Sequence, residues 1–444
     1  RDGKDMHGVA FDATFYEGNT NATDGFYFGA SPTNPKTSDA KYFSAVYDAL
    51  AAKGVRIISN SWGSQPGSEN YSTLPNIVDA YWQHEKFRKD NNGQGTWLDA
   101  AAKVSKNGVI NNFSAGNTGY ANASLRGSYP YFHPELEGNW MTTTGYDKSQ
   151  GQIYNRCGIA KYWCVAAPTG TSSTSYSGGP PGASSPTAIY EKFTGTSAAA
   201  PHASAALALI MERYPYMTNE QALTVLFTTS QNMELADPSK PMTISYEVRP
   251  LKISSSKVPN EIVGWGLVDL QKAMDGPAQF TGRFDYKLPD GQKDTWRNDI
   301  SQEAIVQRKK EEQAEVDKWQ AAKTPPPPDT ADDKTKFDYS VRAERIAYLT
   351  KKLANPETYI AGLTKSGGGQ LTLLGKSIYE GETRINGGEL VIGKGGSIVS
   401  ASVVNTTGLL TVDGTAGDAT VNAGGALGGG GRVNKVEVRD GGTL

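Results

Sequence analysis

A serine stands at the start of an alanine-rich helical pattern, in the stretch Gly195-Thr196-Ser197-Ala198. We expect this helix to run over Ser197–Tyr214, because Pro215 ends the pattern. The first N–H groups of a helix lack intrahelical partners, and the helix dipole is positive at that end. A hydroxyl there can act as a nucleophile while N–H groups hold an oxyanion, which is the chemistry of acyl transfer. The alternative is that the Thr-Ser pair only caps the helix.

The chain contains two cysteines, Cys157 and Cys164, which lie close together in the sequence. Neither has a histidine or a second cysteine pair beside it, so the spacing does not predict a metal site. We favour a local disulfide of the kind found in exported proteins. The alternative is a pair of unconnected, reduced thiols.

The first part of the chain alternates strand-like and helical patterns. The apolar runs Val55–Asn60 and Gly108–Ser114 follow helical patterns over Tyr42–Ala52 and Thr96–Lys106, respectively. Alternation of this kind predicts a parallel sheet covered by helices. We therefore predict an α/β domain over residues 1–277.

The next region has a different, more charged composition. Ile300–Lys323 predicts a solvent-facing helix, supported by spaced pairs such as Arg308 with Glu312. Four prolines, Pro325–Pro328, break this helix and are typical of a stiff spacer. A further helix is predicted over Ser340–Leu353. We interpret residues 278–361 as a helical and proline-rich linker.

Glycine is unevenly distributed, since 22 of the 50 glycines lie in Gly362–Leu444. Gly-Gly-x-Leu recurs there at Gly387–Leu390, Gly424–Leu427 and Gly441–Leu444, beside short alternating runs. Short strands with glycine turns are typical of a stacked β-helix, whose rungs bury their apolar faces against one another. The alternating Val, Leu and Ile disfavour the alternative, a disordered linker. We predict incomplete right-handed β-helix rungs over residues 362–444.

Charge excludes some classes of protein. Lys plus Arg number 44 and Asp plus Glu number 46, which gives a net charge of −2. This balance argues against a globally basic nucleic-acid-binding protein and against an acidic tail. Because the chain opens on Arg1 and closes on Leu444 within a strand-like pattern, we expect a fragment or a processed product.

The stretch Gly195–His202 resembles the nucleophile motif of the subtilases, the subtilisin-like serine proteases. It matches the family pattern Gly-Thr-Ser-x-Ala-x-Pro-His at every fixed position. Further blocks resemble the family in its chain order: Gly8–Ala13, Ile58–Gly63, Phe113–Asn117, Val165–Pro168 and Gly264–Asp269. Phe11 departs from the proline that is usual in the first block. The resemblance covers roughly Gly8–Ala273 and implies a subtilisin-like α/β fold with flanking helices.

The resemblance also implies roles for individual residues. Ser197 would be the nucleophile, and the Asn117 side chain would donate to the oxyanion beside the Ser197 N–H. Two segments would pair with an extended peptide substrate: Ser61, Trp62 and Gly63, and Ser114, Ala115 and Gly116. The alternative for Asn117 is a turn residue preceding Thr118-Gly119.

The chain departs from the family at the catalytic Asp and His. In the family, both residues precede the block that Gly8–Ala13 resembles. None of the chain's four histidines, His7, His84, His133 and His202, lies in a His-Gly-Thr-His setting. We expect His202 to pack on the nucleophile helix, and His84 and His133 to lie at the surface or in loops. We therefore expect the general base and its orienting Asp to lie outside this chain, in a missing N-terminal part of the subtilase domain, so the chain alone would be inactive.

A subtilase domain followed by a charged helix and Gly-Gly-x-Leu rungs resembles the secreted passenger of bacterial subtilisin-like autotransporters. The short Cys157–Cys164 loop is similar to one in such passengers, and Gly362–Gly367 resembles the opening of their repeat. The resemblance implies export through the outer membrane, a C-terminal outer-membrane β-barrel in the full-length protein, and protein or peptide substrates. It implies no cofactor and no nucleic acid. Calcium is common in subtilases, but no dense Asp/Asn loop supports it here.

These residues are compatible with three functions. The leading hypothesis is a secreted or surface serine endopeptidase that uses Ser197 and Asn117. The alternative is a non-catalytic passenger that serves as an adhesion or scaffold surface, and retention of both residues disfavours it. A carbohydrate-active β-helix enzyme is the weakest hypothesis, because no cluster of Asp or Glu occurs among the rungs from Gly362 onward.

Overall fold

Parallel strands dominate both parts of the chain. The computed structural model describes residues 7–18, 40–62, 70–90, 93, 95–148, 154–177, 187–239 and 250–444. The chain divides into two compact units. The first comprises Arg1–Leu209 with Gln231–Val268, and the second comprises Ile210–Ser230 with Asp269–Leu444.

The helices and strands up to residue 253 are, in chain order, α1 (Ala40–Ala52), β1 (Ile57–Asn60), α2 (Leu74–Asp90), α3 (Trp97–Lys106), β2 (Ile110–Ser114), α4 (Leu125–Ser128), β3 (Trp140–Tyr146), β4 (Cys164–Pro168), β5 (Thr171–Ser177), β6 (Thr187–Phe193), α5 (Thr196–Arg213), α6 (Asn219–Thr229), β7 (Met233–Leu235) and β8 (Leu251–Ile253). Short 3-10 turns cover Tyr129–Tyr131, Pro134–Asn139 and Gly158–Trp163.

The first unit is built around a four-stranded sheet in the order β1-β2-β3-β4, and every pairing in it is parallel. Its core is aromatic: Phe113 on β2 and Trp140 on β3 are both fully buried and stack with ring centroids 5.0 Å apart. Helix α3 begins at a capping box, in which Thr96 accepts from backbone N–H groups and Asp99 accepts from the Thr96 N–H. The predicted parallel sheet with flanking helices is confirmed.

From residue 270 the elements are α7 (Leu270–Ala273), β9 (Arg283–Lys287), β10 (Lys293–Trp296), α8 (Glu303–Ala322), α9 (Asp333–Ala354), β11 (Gly362–Ser366), β12 (Gln370–Leu373), β13 (Lys376–Ser377), β14 (Thr383–Ile385), β15 (Gly388–Ile392), β16 (Ser397–Ile398), β17 (Ser402–Val404), β18 (Gly408–Val412), β19 (Thr415–Ala416), β20 (Ala419–Val421), β21 (Ala426–Gly428), β22 (Arg432–Val433) and β23 (Val436–Val438), with a 3-10 turn over Pro356–Tyr359.

The strands of the second unit stack into three parallel sheets, as a β-helix requires. Their orders are β10-β12-β15-β18-β21, β9-β11-β14-β17-β20-β23 and β13-β16-β19-β22. In the first sheet, Leu371, Leu390, Leu410 and Leu427 lie opposite one another on successive rungs, and all four are buried. Each rung thus covers the apolar face of the next, and the β-helix prediction is confirmed.

The β-helix begins earlier than the glycine pattern indicates. Strands β9 and β10 lie within the segment predicted as a linker, yet they pair in register with β11 and β12. The helices α8 and α9 therefore lie in the chain between two neighbouring rungs. This grouping differs from the predicted boundaries at residues 277 and 361, because β9 and β10 carry no Gly-Gly-x-Leu motif.

Helix α8 is less solvent-facing than its charge predicts. The expected Arg308–Glu312 pair forms, with Nε to Oε1 at 2.8 Å, but Glu312 is buried. Lys352 on α9 also contacts Glu312 at 2.7 Å, and the Tyr359 hydroxyl donates to the same carboxylate. A buried carboxylate with three donors holds the end of α9 against α8.

Candidate active site

Ser197 lies in the first turn of α5, as the sequence predicts. Gly195, just before the helix, has φ +94°, a conformation that favours glycine, and its carbonyl accepts from the N–H groups of Ala198 and Ala199. The Ser197 N–H lies in the turn whose N–H groups have no intrahelical acceptor. Ser197 is partly exposed, so both its hydroxyl and a free N–H can reach a ligand at this helix end.

The strand end beside Ser197 carries Ser61. The Ser197 Oγ donates to the Ser61 carbonyl at 2.8 Å, and the Ser61 Oγ donates to the Ser197 carbonyl at 2.9 Å. Ser61 directly follows β1, at the carboxyl edge of the parallel sheet, where open α/β sheets bind their ligands. The two serines, distant in sequence, are therefore brought together by the fold.

Asn117 comes from the loop that follows β2. Its Oδ1 accepts from both the N–H and the hydroxyl of Thr196, each at 2.8 Å. The Thr196 Oγ1 in turn accepts from the Gly116 N–H at 3.1 Å. Because Oδ1 is held by Thr196, the Asn117 Nδ2 remains a donor with no acceptor among the described residues. Asn117 is exposed, so this amide is a donor that a ligand can reach, as is the Ser197 N–H.

Asn155 is a residue of this site that the sequence analysis missed. It is buried, and its Oδ1 accepts from the N–H groups of Thr118 and Tyr120, each at 3.1 Å. Its Nδ2 donates to the Ala115 carbonyl at 3.1 Å. These bonds hold both flanks of Asn117. No motif marks Asn155 in the sequence, and only its position two residues before Cys157 gave a hint that its segment is fixed.

The predicted peptide-pairing segments differ in their surroundings. Trp62 packs against Phe43 and Trp97, with ring centroids 5.3 and 4.7 Å away, which fixes the chain after β1. Gly63 lies outside the described residues, so its predicted role stays a prediction. Ser61 and Trp62 continue from the end of β1, the first strand of its sheet.

The second predicted segment is already hydrogen-bonded within the protein. Ser114 is the last residue of β2, and the Ala115 N–H donates to the Thr143 carbonyl at 2.9 Å. The Ala115 carbonyl accepts from Ser124 and from Asn155, and the Gly116 carbonyl accepts from the Asn155 N–H. These bonds support the loop that carries Asn117. The pairing of Ser114, Ala115 and Gly116 with a peptide stays a prediction.

The predicted disulfide is present. Cys157 and Cys164 are bonded with their Cα atoms 5.8 Å apart, and both are fully buried. Cys164 begins β4, while Cys157 lies two residues after Asn155. The bridge therefore ties the segment that carries Asn155 to strand β4 of the parallel sheet.

The four histidines are not hydrogen-bonded to the nucleophile. Among the described residues, which include all four, none shares a hydrogen bond with Ser197. His202 lies on α5 as predicted, with Nδ1 2.7 Å from the Ala198 carbonyl oxygen, while His7 is exposed. The expectation of a surface position for His84 is wrong: it is fully buried, with Nε2 2.9 Å from Thr96 Oγ1. Its amphipathic helix α2 turns this side chain inward.

His133 is mostly covered and lies beside aromatic rings. Its Nε2 is 3.1 Å from the Tyr81 hydroxyl, and its ring centroid is 4.4 Å from that of Tyr129. Burial lowers the pKa of His133, although the nearby carboxylate of Glu135 acts in the opposite direction. His133 therefore packs within an aromatic cluster with Tyr81 and Tyr129.

Metal-binding clusters and membrane-spanning helices are two other features that bear on function. The described residues contain no group of three or more His, Cys, Asp or Glu placed to hold a metal ion. Within the same ranges, no helix combines the length and apolar character that a membrane crossing demands.

Comparisons with known proteins agree with the motifs. Residues 2–266 match the Subtilase family, and residues 363–392 match the Passenger-associated-transport-repeat. The chain is 26% identical to the Neisserial autotransporter lipoprotein NalP of Neisseria meningitidis serogroup B, over 96% of this chain and 33% of that protein. It is 25% identical to an extracellular serine protease of Serratia marcescens, over 94% of this chain and 38% of that protein.

Two further similarities complete the comparison. Serotype-specific antigen 1 of Mannheimia haemolytica is 26% identical over 74% of this chain and 32% of that protein. The self-cleaved protease domain of PatA, a solved structure, is 14% identical over 55% of this chain and 69% of its own, with a TM-score of 0.33. The chain thus spans between 32% and 38% of the length of these curated relatives. Because the subtilase match covers more than half of the chain, this protein belongs to the subtilase family, and its β-helix carries a passenger-associated-transport repeat.

Proposed function

We propose that this chain is the passenger of a secreted serine endopeptidase, in which Ser197 is the nucleophile. The observation that carries the proposal is the convergence of a partly exposed Ser197 hydroxyl with two oxyanion donors, the Ser197 N–H and the Asn117 Nδ2. The Oδ1 of Asn117 is fixed by Thr196, so the donor is oriented before any substrate binds. Preorganised donors of this kind lower the barrier to acyl transfer.

The reaction would proceed through an acyl-enzyme. The Ser197 Oγ attacks the carbonyl carbon of a peptide bond and gives its proton to a histidine base. Asn117 and the Ser197 N–H hold the oxyanion, and the intermediate collapses when the amine leaves with that proton. Water then hydrolyses the Ser197 ester by the same steps. This chemistry uses protein groups and water and requires no cofactor.

The base and its orienting Asp are proposed to lie outside this chain. The four histidines of the chain support this, because all of them lie in the described residues and none is hydrogen-bonded to Ser197. The closest in sequence, His202, has its Nδ1 at the Ala198 carbonyl of its own helix. A chain without a base leaves the hydroxyl un-ionised and slow to react, so this chain alone is expected to be inactive.

The proposed substrates are proteins or extended peptides, and the proposed site of action is the cell surface or the medium. Ser61 and Trp62 continue from β1, the outermost strand of its sheet among the described residues, where a peptide can add as a further strand. Export is supported by the passenger-associated repeat over residues 363–392 and by relatives described as an autotransporter lipoprotein and as an extracellular protease.

A serine-directed fluorophosphonate tests the proposal. We expect it to label Ser197 in the protein expressed from its complete coding sequence, and Ser197→Ala to abolish that label. The exposed Ser255 supplies a matched control, since Ser255→Ala keeps the nucleophile and should keep the label. The 444-residue chain alone should be labelled very slowly. Absence of label on the complete protein would favour the non-catalytic passenger, and rapid labelling of the isolated chain would contradict the proposed location of the base.

A further inference from the structure

Pro201 interrupts the hydrogen-bond ladder of α5 one turn after the nucleophile. In an α-helix the N–H of each residue donates to the carbonyl four residues earlier. Pro201 lies inside α5 and has no N–H, so the carbonyl that it leaves without this donor is that of Ser197. A partly buried carbonyl without a hydrogen-bond donor lowers the stability of the fold. The Ser197 carbonyl therefore needs another donor in place of the missing N–H.

The hydroxyl of Ser61 supplies that replacement. Its Oγ donates to the Ser197 carbonyl at 2.9 Å, so the missing helical donor comes from the end of β1. The opposite bond, from Ser197 Oγ to the Ser61 carbonyl at 2.8 Å, closes a reciprocal pair. The side chain of each serine thus donates to the backbone carbonyl of the other.

We propose that the Ser61 hydroxyl is a positioning residue for the nucleophile, acting through the carbonyl that Pro201 leaves open. The inference rests on the proposed function of Ser197. The bond fixes the peptide unit of Ser197, and with it the distance from its Oγ to the N–H and Asn117 donors. Ser61 thus has a role for its side chain that is separate from the predicted pairing of its backbone with a peptide.

A rescue experiment separates this role from general packing. In Ser61→Ala the Ser197 carbonyl loses its donor, whereas in Ser61→Ala/Pro201→Ala the new N–H of residue 201 can donate to the same carbonyl within the helix. Pro201 is exposed, so the second substitution removes no core contact. Ser61→Thr keeps a hydroxyl, and Ser255→Ala is the exposed control. All variants are made in the protein expressed from its complete coding sequence.

The readouts are the rate of fluorophosphonate labelling of Ser197 and the kcat and KM for a peptide. We expect Ser61→Ala to slow labelling and kcat by about tenfold, equivalent to about 1.4 kcal/mol, with KM changed by less than about twofold. The double variant should recover most of this loss, and Ser61→Thr should lose less than Ser61→Ala. The proposal would be overturned if Ser61→Ala were labelled at the rate of the unsubstituted protein. It would also be overturned if the double variant were labelled as slowly as Ser61→Ala.

Thermal unfolding keeps this test distinct from failure of the proposed function. If the unsubstituted protein is not labelled, the proposed function fails, and the Ser61–Ser197 link is then decided by stability alone. Ser61→Ala should lower Tm, and adding Pro201→Ala should raise it again. Independent, additive effects of the two substitutions on Tm would contradict the link between Ser61 and the open carbonyl.

Discussion

At the scale of single residues, Asn155 determines the geometry of the loop that carries Asn117. Asn155→Ala removes the acceptor of the Thr118 and Tyr120 N–H groups, and it removes one of the two donors to the Ala115 carbonyl, which keeps the Ser124 N–H. Since each unsatisfied buried group costs about 1–3 kcal/mol, we expect the free energy of unfolding to fall by about 3 kcal/mol. Denaturant unfolding measures this loss. Labelling of Ser197 should slow as well, because the Asn117 amide loses its support.

A surface asparagine gives the matched control for Asn155. Asn434 is exposed, and its Nδ2 donates to Asp418 at 2.6 Å. Asn434→Ala should change the free energy of unfolding by less than about 0.5 kcal/mol. Similar losses in the two variants would show that Asn155 has no special part in the loop.

The two asparagines also show which site residues a sequence can reveal. Asn117 is predictable because it follows a strand within a recognisable block, as Ser197 does at the start of its helix. Asn155 is not, since its partner Ala115 is 40 residues away and the contact exists only after β2 and the disulfide segment have met. The burial of His84 could not be predicted for the same reason. The sequence around His84 does not indicate that its ring will contact the Thr96 hydroxyl.

At the scale of elements, glycines set how closely the rungs of the β-helix approach. Gly388 opens β15 with φ +63°, and a Cβ there would lie 2.3 Å from the Gly369 carbonyl oxygen. We expect Gly388→Ala to lower the free energy of unfolding by more than about 3 kcal/mol, from backbone strain plus overpacking. Chemical denaturation, monitored by circular dichroism, measures this loss in the free energy of unfolding.

Gly395 provides a control for backbone conformation alone. Its φ is +86°, yet a Cβ would meet nothing within 4 Å. Gly395→Ala should therefore lower the free energy of unfolding by only about 1–2 kcal/mol, because alanine is less stable than glycine in the left-handed conformation. If both variants lose the same amount, close approach between rungs is not what requires Gly388.

The pairing of α8 with α9 depends on the buried carboxylate of Glu312. Burial alone would raise the pKa of Glu312, but Arg308 and Lys352 outweigh it and hold that pKa below its usual range. Because removing one partner leaves buried charges unpaired, we expect Glu312→Gln to lower the free energy of unfolding by about 3 kcal/mol at neutral pH. The stabilisation is present above the ordinary pKa of Glu and is lost as pH falls through the lowered value.

Glu315 on the same helix is the control for Glu312. It pairs with Arg345 through two bonds of 2.7 and 2.9 Å but is partly exposed. Glu315→Gln should cost less than about 1 kcal/mol. Denaturant unfolding between neutral and acidic pH compares the two, and an unchanged acid sensitivity in Glu312→Gln would contradict the assignment.

Helices and strands with a strong periodic pattern of apolar residues or glycine turns could be predicted, and those without such a pattern could not. The alternation over Val55–Asn60 and Gly108–Ser114 gave the parallel sheet, since β1 and β2 lie within those runs. The rungs from Gly362 onward were predictable from glycine turns. The rung of β9 and β10 was not, because its partners β11 and β12 follow only after the α8–α9 helices.

At the scale of the whole molecule, acidic and basic residues nearly cancel. A net charge of −2 produces little self-repulsion near neutral pH, so buried titratable groups determine how stability varies with pH. Burial lowers the pKa of His133, and it lowers that of Lys365 to about 8 despite the nearby Asp290. Lys365 is fully buried, and its Nζ donates to the carbonyls of Ser366, Gly367 and Gly387.

Lys365 gives a prediction with a definite sign. Between pH about 8 and the ordinary lysine pKa of about 10.4, the unfolded chain binds more protons than the folded one, so the free energy of unfolding rises with pH. Its in-register neighbour on the next rung is Ile385, so Lys365→Met suits the column and removes the titration. Urea unfolding from pH about 7.5 to 10 should show a rise in the unsubstituted chain that is absent in Lys365→Met. Buried tyrosines such as Tyr47, whose pKa burial raises, act in the opposite direction only as pH approaches 10 and affect both chains equally. A rise that persists in Lys365→Met would assign it to another group.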